Sequence, residues 1–317
     1  MKQILFFLLI PMFTFGQSVI IEAELMLSNK QFEDVEQLMT NYVDQNPKNL
    51  KGIELLGDAF GFQKKWDKAI VHYKKLVTYN QDNANYHYKY GGALGMKALT
   101  ISKFRALGII GDVKSSFLKA AELDPDHIDT RWALVELYMQ LPGIIGGSKK
   151  KSLKYAEELE QLSKVDGYLA KGYIYEYDDA PELAERYYKL AIKEGGSLTC
   201  FAKLSEFYQS ENQPQKAISN IEQSYEKHNK NNLHYQIGKV CADYNIELDK
   251  GERCLQMYIK NHSAKDGVPI EWAYFRLAQI SKNRIQKEQA LQWIDKALHI
   301  RSDFKQALEE KKKILRL

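Results

Sequence analysis

Apolar residues return at helical spacing along almost the whole chain, and they do so in a repeating frame. In four stretches a small residue and an alanine stand twelve positions apart: Gly57 and Ala69, Gly172 and Ala184, Ser205 and Ala217, Ala278 and Ala290. Four residues beyond each alanine comes a bulky one: Tyr73, Tyr188, Ile221 and Ile294. The frame recurs roughly every 34 residues, a length that holds two helices and a turn. A helix pair of that size cannot bury its apolar face alone and must stack on its neighbours. The pattern therefore predicts an all-α solenoid of about eight antiparallel helix pairs, with no strands.

The pairs are predicted over 18–46, 50–83, 84–127, 128–164, 165–196, 198–229, 231–265 and 271–303. Pro47, Pro125, Pro142, Pro181, Pro214 and Pro269 all fall between these helices or in a first turn, where the missing N–H costs nothing. The repeat region is thus 17–303. A last helix over 304–317 is expected to cap the stack, with Phe304, Leu308 and Leu315 inward and Lys311, Lys312, Lys313 and Arg316 in water.

The small residue, the aromatics and the two alanines of each frame resemble the tetratricopeptide repeat. The second and fifth pairs match that pattern closely, and the sixth and eighth match it well. The resemblance covers residues 18 to 303 and implies a right-handed superhelix whose first helices line a concave groove. Carried onto this chain, the groove positions are Tyr88, Trp132, Glu136, Met139, Tyr173, Glu176, Tyr177, Glu206, Tyr235, Lys239 and Phe275. Aromatics beside carboxylates suit a protein or peptide partner, because aromatic anchors dominate protein interfaces. Some repeats of this kind clamp acidic C-terminal peptides with lysine and asparagine. Here Glu54 and Asp58 stand at such positions, which argues against that role.

Two pairs are longer than the frame allows. The extra residues are expected between the helices of each pair, over Met96–Asp112 and Leu141–Ser148. Both segments carry the same tetrapeptide, Gly108-Ile109-Ile110-Gly111 and Gly143-Ile144-Ile145-Gly146. As neighbouring loops they would bring Ile109, Ile110, Ile144 and Ile145 together on one edge, beside Lys103, Arg105, Lys149, Lys150 and Lys151. Either the loops pack on each other and bury the four isoleucines, or these stay exposed as a patch that docks a partner or a membrane surface. The stretch from Pro142 to Lys151 is not a nucleotide loop: Ser148 stands where that loop needs glycine, and a helix rather than a strand precedes it.

Residues 1–16 differ from the rest. Lys2, the apolar run Ile4–Ile10 and the small residues of Thr14-Phe15-Gly16 have the layout of a secretory leader, which implies an exported protein of the periplasm or cell envelope. Forty-five basic and 41 acidic residues leave a net charge of +4, too balanced for a nucleic-acid footprint. The three cysteines, Cys200, Cys241 and Cys254, are no disulfide framework, although Cys241 and Cys254 fall on the two helices of one pair. The seven histidines have no ligand spacing, and no nucleophile or paired-carboxylate motif stands out. The sequence thus points to binding without catalysis, cofactor, metal, nucleotide or nucleic acid.

Overall fold

The structure, a computed structural model, describes residues 10–317, with side chains from residue 18. The predicted leader lies outside the described residues as far as residue 9, and its remaining side chains lie outside them as well. Among the described residues there are seventeen α-helices, two 3-10 turns and no strand. They fall into two units, divided between Leu162 and Ser163. In the first unit α1 (Ile10–Ser28) pairs with α2 (Phe32–Gln45), α3 (Leu50–Phe62) with α4 (Trp66–Tyr79), α5 (Ala84–Thr100) with α6 (Lys103–Leu123), and α7 (Ile128–Gln140) with α8 (Lys149–Leu162). In the second unit α9 (Lys164–Tyr177) pairs with α10 (Pro181–Glu194), and α11 (Leu198–Ser210) with α12 (Pro214–His228). There α13 (Asn231–Tyr244) pairs with α14 (Leu248–Lys260), α15 (Ile270–Asn283) with α16 (Lys287–Ile300), and α17 (Lys305–Leu315) covers the last pair.

The twelve-residue spacing works through close approach. A Cβ placed on Gly57 would lie 2.7 Å from the Tyr73 ring, and one on Gly172 would lie 2.5 Å from the Tyr188 ring. Ala69, Ala184, Ala217 and Ala290 are fully buried where the two helices of each pair meet. The tyrosine that fills each gap is tied down at its far end. Tyr73 donates its hydroxyl to Asp58 at 2.7 Å, and Tyr188 donates to Glu176 at 2.6 Å.

A polar link then joins successive pairs, in the same form in both units. Glu36 on α2 accepts from Lys65 at 2.5 Å and Gln63 at 2.8 Å of the next pair, with Lys68 at 3.4 Å. Glu185 on α10 accepts from Lys189 at 2.6 Å and from Tyr208 at 2.9 Å, with Lys216 at 3.4 Å. The lysines and hydrogen bonds together hold both carboxyls below the usual carboxylate range, against the opposing effect of burial.

Regular pairs share one turn. Lys30, Lys64, Asp179, Asn212 and Ile285 take left-handed backbone with φ between 53° and 62°. The following N–H reaches back over the helix end: Lys65 to Phe60 O at 2.9 Å, Gln213 to Tyr208 O at 2.7 Å, Gln286 to Ser281 O at 2.9 Å.

The long third and fourth pairs depart from this turn in different ways. The surplus of the third pair, expected as an inserted loop, is helical. It lengthens α5 to 17 residues and α6 to 21, against 13 and 14 in the second pair. Gly108-Ile109-Ile110-Gly111 therefore lies inside α6, which corrects the expectation of a first loop there. The surplus of the fourth pair is a tight turn containing the 3-10 helix Gly143–Ile145. Gly146 has φ of +101°, and a Cβ on Gly147 would fall 1.7 Å from the Leu141 carbonyl oxygen, so this turn requires both glycines. Ser148 N–H closes it on the Tyr138 carbonyl at 2.8 Å.

The final helix caps as expected through Phe304, which is fully buried with its ring 4.5 Å from Trp272 and 5.4 Å from Phe275. The rest of its inner face differs from expectation. Leu308 and Leu315 are exposed, and Ala307, Glu310 and Ile314 are buried in their place. Glu310 is paired with Lys282 and, at 3.2 Å, with Lys313. Phe304 sets the helix one position off the register that would have buried the two leucines.

Candidate partner-binding faces

In the first unit the first helices present a band of aromatics and carboxylates. Lys89 Nζ bridges Glu54 at 2.6 Å and Asp58 at 2.8 Å, and Asn85 donates to Glu54 at 3.1 Å. Lys51 pairs with Glu24 at 2.7 Å. Tyr88 lies with its ring 6.1 Å from Phe117 and 5.1 Å from His127. Its phenol is pushed above the ordinary tyrosine range by burial, and then by the nearby charges of Asp129 and Glu136 on α7. The predicted Trp132 on α7 is half-buried and Glu136 is exposed. Tyr88 is thus within electrostatic reach of Glu136 on the next first helix.

In the second unit Tyr173 and Tyr177 on α9 have ring centroids 6.2 Å apart, and Tyr177 is 54 % exposed. Glu176 between them accepts from Tyr188 and, at 3.3 Å, from Ser210 on α11. Glu206, one repeat on, is exposed and pairs with Lys203 at 3.1 Å. Burial first, then the bonded Glu176, holds the Tyr188 phenol above its usual range, with Glu206 and Tyr173 adding to the effect.

Three predicted groove residues are not on the surface. Met139 is buried at the end of α7, to which the following turn returns. Tyr235 is buried with its ring 5.5 Å from Tyr258, and Phe275 packs on Phe304. At these positions the side chain fills space between helices instead of facing a partner. Lys239 is half-buried on α13. Of the predicted isoleucine patch, Ile109, Ile110 and Ile145 are half-buried, while Ile144 is 97 % exposed.

Sequence reasoning missed Lys89 as the hub of the first face. The signal was present, because Lys89 follows Asp58 by 31 residues and Glu54 by 35, about one repeat, which sets a cation across from them on the next first helix. Where α10, α11 and α12 meet, a cavity of about 430 Å³ is lined by Glu185, Tyr208, Lys216 and Asn220, none of them a predicted groove residue. Among the described residues no group of histidine, cysteine and carboxylate side chains is arranged to hold a metal ion. Cys200, Cys241 and Cys254 are free, and burial pushes the Cys241 thiol up to about 12. No described helix is long and apolar enough to cross a membrane.

The chain is therefore an all-α repeat solenoid, and it is similar to several solved structures. A tetratricopeptide repeat protein from Parabacteroides merdae is 13 % identical, with a TM-score of 0.52 over 95 % of this chain and 98 % of that one. A thermophilic tetratricopeptide repeat protein from Thermus thermophilus is 13 % identical over 71 % of this chain and 98 % of that chain, with a TM-score of 0.44. YrrB, described as having an unusual peptide-binding site, is 19 % identical over 62 % of this chain and 97 % of its own, with a TM-score of 0.42. The likeness to the first establishes the tetratricopeptide repeat fold. No family model matches the chain, and no curated protein matches it in sequence.

Proposed function

We propose that this chain is a non-enzymatic scaffold that binds a protein or peptide partner on the faces built by its first helices. The observation that carries this reading is the pairing of accessible aromatics with carboxylates on those faces. Tyr88 feels the charges of Asp129 and Glu136 in one unit, and Tyr173 and Tyr177 flank Glu176 in the other. An extended segment with basic side chains between apolar ones fits both faces, its cations meeting the carboxylates and its apolar groups the rings. The cell envelope is the proposed location, on the leader pattern of residues 1–16.

The test is capture of binding proteins from the native cell by the wild-type chain and by Trp132→Ala and Tyr173→Ala variants. A partner held at an aromatic anchor should lose roughly tenfold to a hundredfold in affinity in one of them. A partner bound equally by all three, with helical content unchanged, removes these faces from the function. The alternative of docking at a membrane through two Gly-Ile-Ile-Gly loops loses its first loop, since Gly108–Gly111 is helical.

A further inference from the structure

We infer that the projecting α5–α6 hairpin, with the turn over 142–148 beside it, forms a docking surface for an anionic lipid bilayer. The seven residues by which α6 exceeds the regular second helix add about two turns, or roughly 10 Å, at the end where it meets α5. That projecting end carries apolar side chains with little to cover them. Phe104 is 85 % exposed and Leu99 71 %, and Met96 and Leu107 are exposed as well.

The neighbouring turn, whose backbone requires Gly146 and Gly147, adds Ile144, which is 97 % exposed. The two features are adjacent. Lys114 of α6 reaches the turn, its Nζ only 3.4 Å from where a Gly146 Cβ would stand, and it lies 5.8 Å from the centre of the Tyr138 ring, with Lys151 at 5.3 Å. Lys103, Leu107, Ile110 and Lys114 follow one another at three- and four-residue steps, so one face of α6 runs from the tip to the turn.

Charge selects the occupant. Residues 96–112 and 141–156 hold seven cations, Lys97, Lys103, Arg105, Lys149, Lys150, Lys151 and Lys154, against the single carboxylate of Asp112, in a chain that is otherwise nearly balanced. Lys97 pairs with Asp67 and Lys154 with Glu158, from outside these segments. The apolar side chains of this hairpin end are open to solvent. A tip of aromatic and aliphatic groups ringed by cations suits the headgroup boundary of an anionic leaflet, where each cation adds attraction and the apolar groups enter between acyl chains. An acidic protein would need a pocket of its own to receive Phe104.

Flotation of the protein, as cells produce it, tests this with vesicles of phosphatidylcholine alone and of phosphatidylcholine mixed with phosphatidylglycerol. The wild type should float with the mixed vesicles at low salt, be released at high salt, and stay unbound with phosphatidylcholine. Lys103→Glu with Arg105→Glu should weaken partitioning by at least about fivefold for each cation lost. Phe104→Ser with Ile144→Ser should weaken it as well. All four positions are exposed, and unchanged circular dichroism confirms that the variants fold. The inference fails if nothing floats, if flotation ignores salt or lipid charge, or if either double variant floats like the wild type. It fails equally if the same residues capture a soluble acidic protein while the vesicles stay bare. Trp132→Ala and Tyr173→Ala should leave flotation unchanged, so this surface stands or falls independently of the first-helix faces.

Discussion

At Gly172 one methyl group decides whether a helix pair closes. The added Cβ would sit 2.5 Å from a Tyr188 ring that cannot swing aside, because its hydroxyl is held by Glu176. Gly172→Ala should therefore lower stability by roughly 1–3 kcal/mol in urea unfolding. Gly108→Ala, inside α6 with nothing within 4 Å of the new atom, should raise it by up to about 1 kcal/mol. Equal effects at the two sites would undo the close-approach account of the repeat. The left-handed turn makes a second residue-scale case. Ile285 is β-branched, has φ of 62° and is 76 % exposed, so the conformation strains it and little packing compensates. Ile285→Gly should stabilise by about 1 kcal/mol, read as a raised denaturant midpoint. The small-residue positions were legible in the sequence because sterics restrict them to glycine, alanine and serine. The turn was not: Lys30, Lys64, Asp179, Asn212 and Ile285 share a backbone shape and no side-chain chemistry.

Helix number and pairing could be read from the 34-residue frame, and the surplus in the third and fourth pairs could be counted. What the surplus would become could not. The same four letters form helix in Gly108–Gly111 and a locked turn in Gly143–Gly146, and their flanks make the difference. Lys103–Leu107 is a helix-forming run, whereas Pro142 and the Gly147 backbone contact stop a helix. The capping helix shows the same limit, since its existence was evident but its register depended on Phe304 finding Trp272 and Phe275. Phe304→Ala should cost about 3–5 kcal/mol, measured by urea unfolding. A loss under about 1 kcal/mol would mean that α17 is held mainly by the Glu310 ion pairs.

Over the whole molecule, buried phenols set the response to alkali. Burial, followed by neighbouring Asp58, raises the Tyr73 phenol, and burial followed by Glu176 raises that of Tyr188. The folded chain keeps these protons to higher pH than the unfolded chain. Their contribution is therefore whole below about pH 10 and is lost as pH climbs past it. The urea midpoint should hold level up to about pH 10 and then fall, and Tyr73→Phe with Tyr188→Phe should flatten that fall. An unchanged slope in the double variant would assign alkaline unfolding to other groups. The partner-binding faces were legible at this scale only as a direction. The resemblance named the helices that line them, but Met139, Tyr235 and Phe275 proved to be packing residues. A solenoid uses large side chains for filling and for display alike, and sequence spacing alone does not separate the two.

The ring of Phe304 also determines what the last pair does with its neighbours in solution. Cut away residues 304–317, and the flanks of Trp272 and Phe275 meet water. The surface best shaped to hide them then is a helix pair of another molecule, because every pair in this chain is built to be stacked upon. A chain ending at Asp303 should polymerise end to end as its concentration rises, seen as growing species in sedimentation velocity. On this view Phe304 and the eleven-residue helix that follows it keep the last pair from stacking on another molecule.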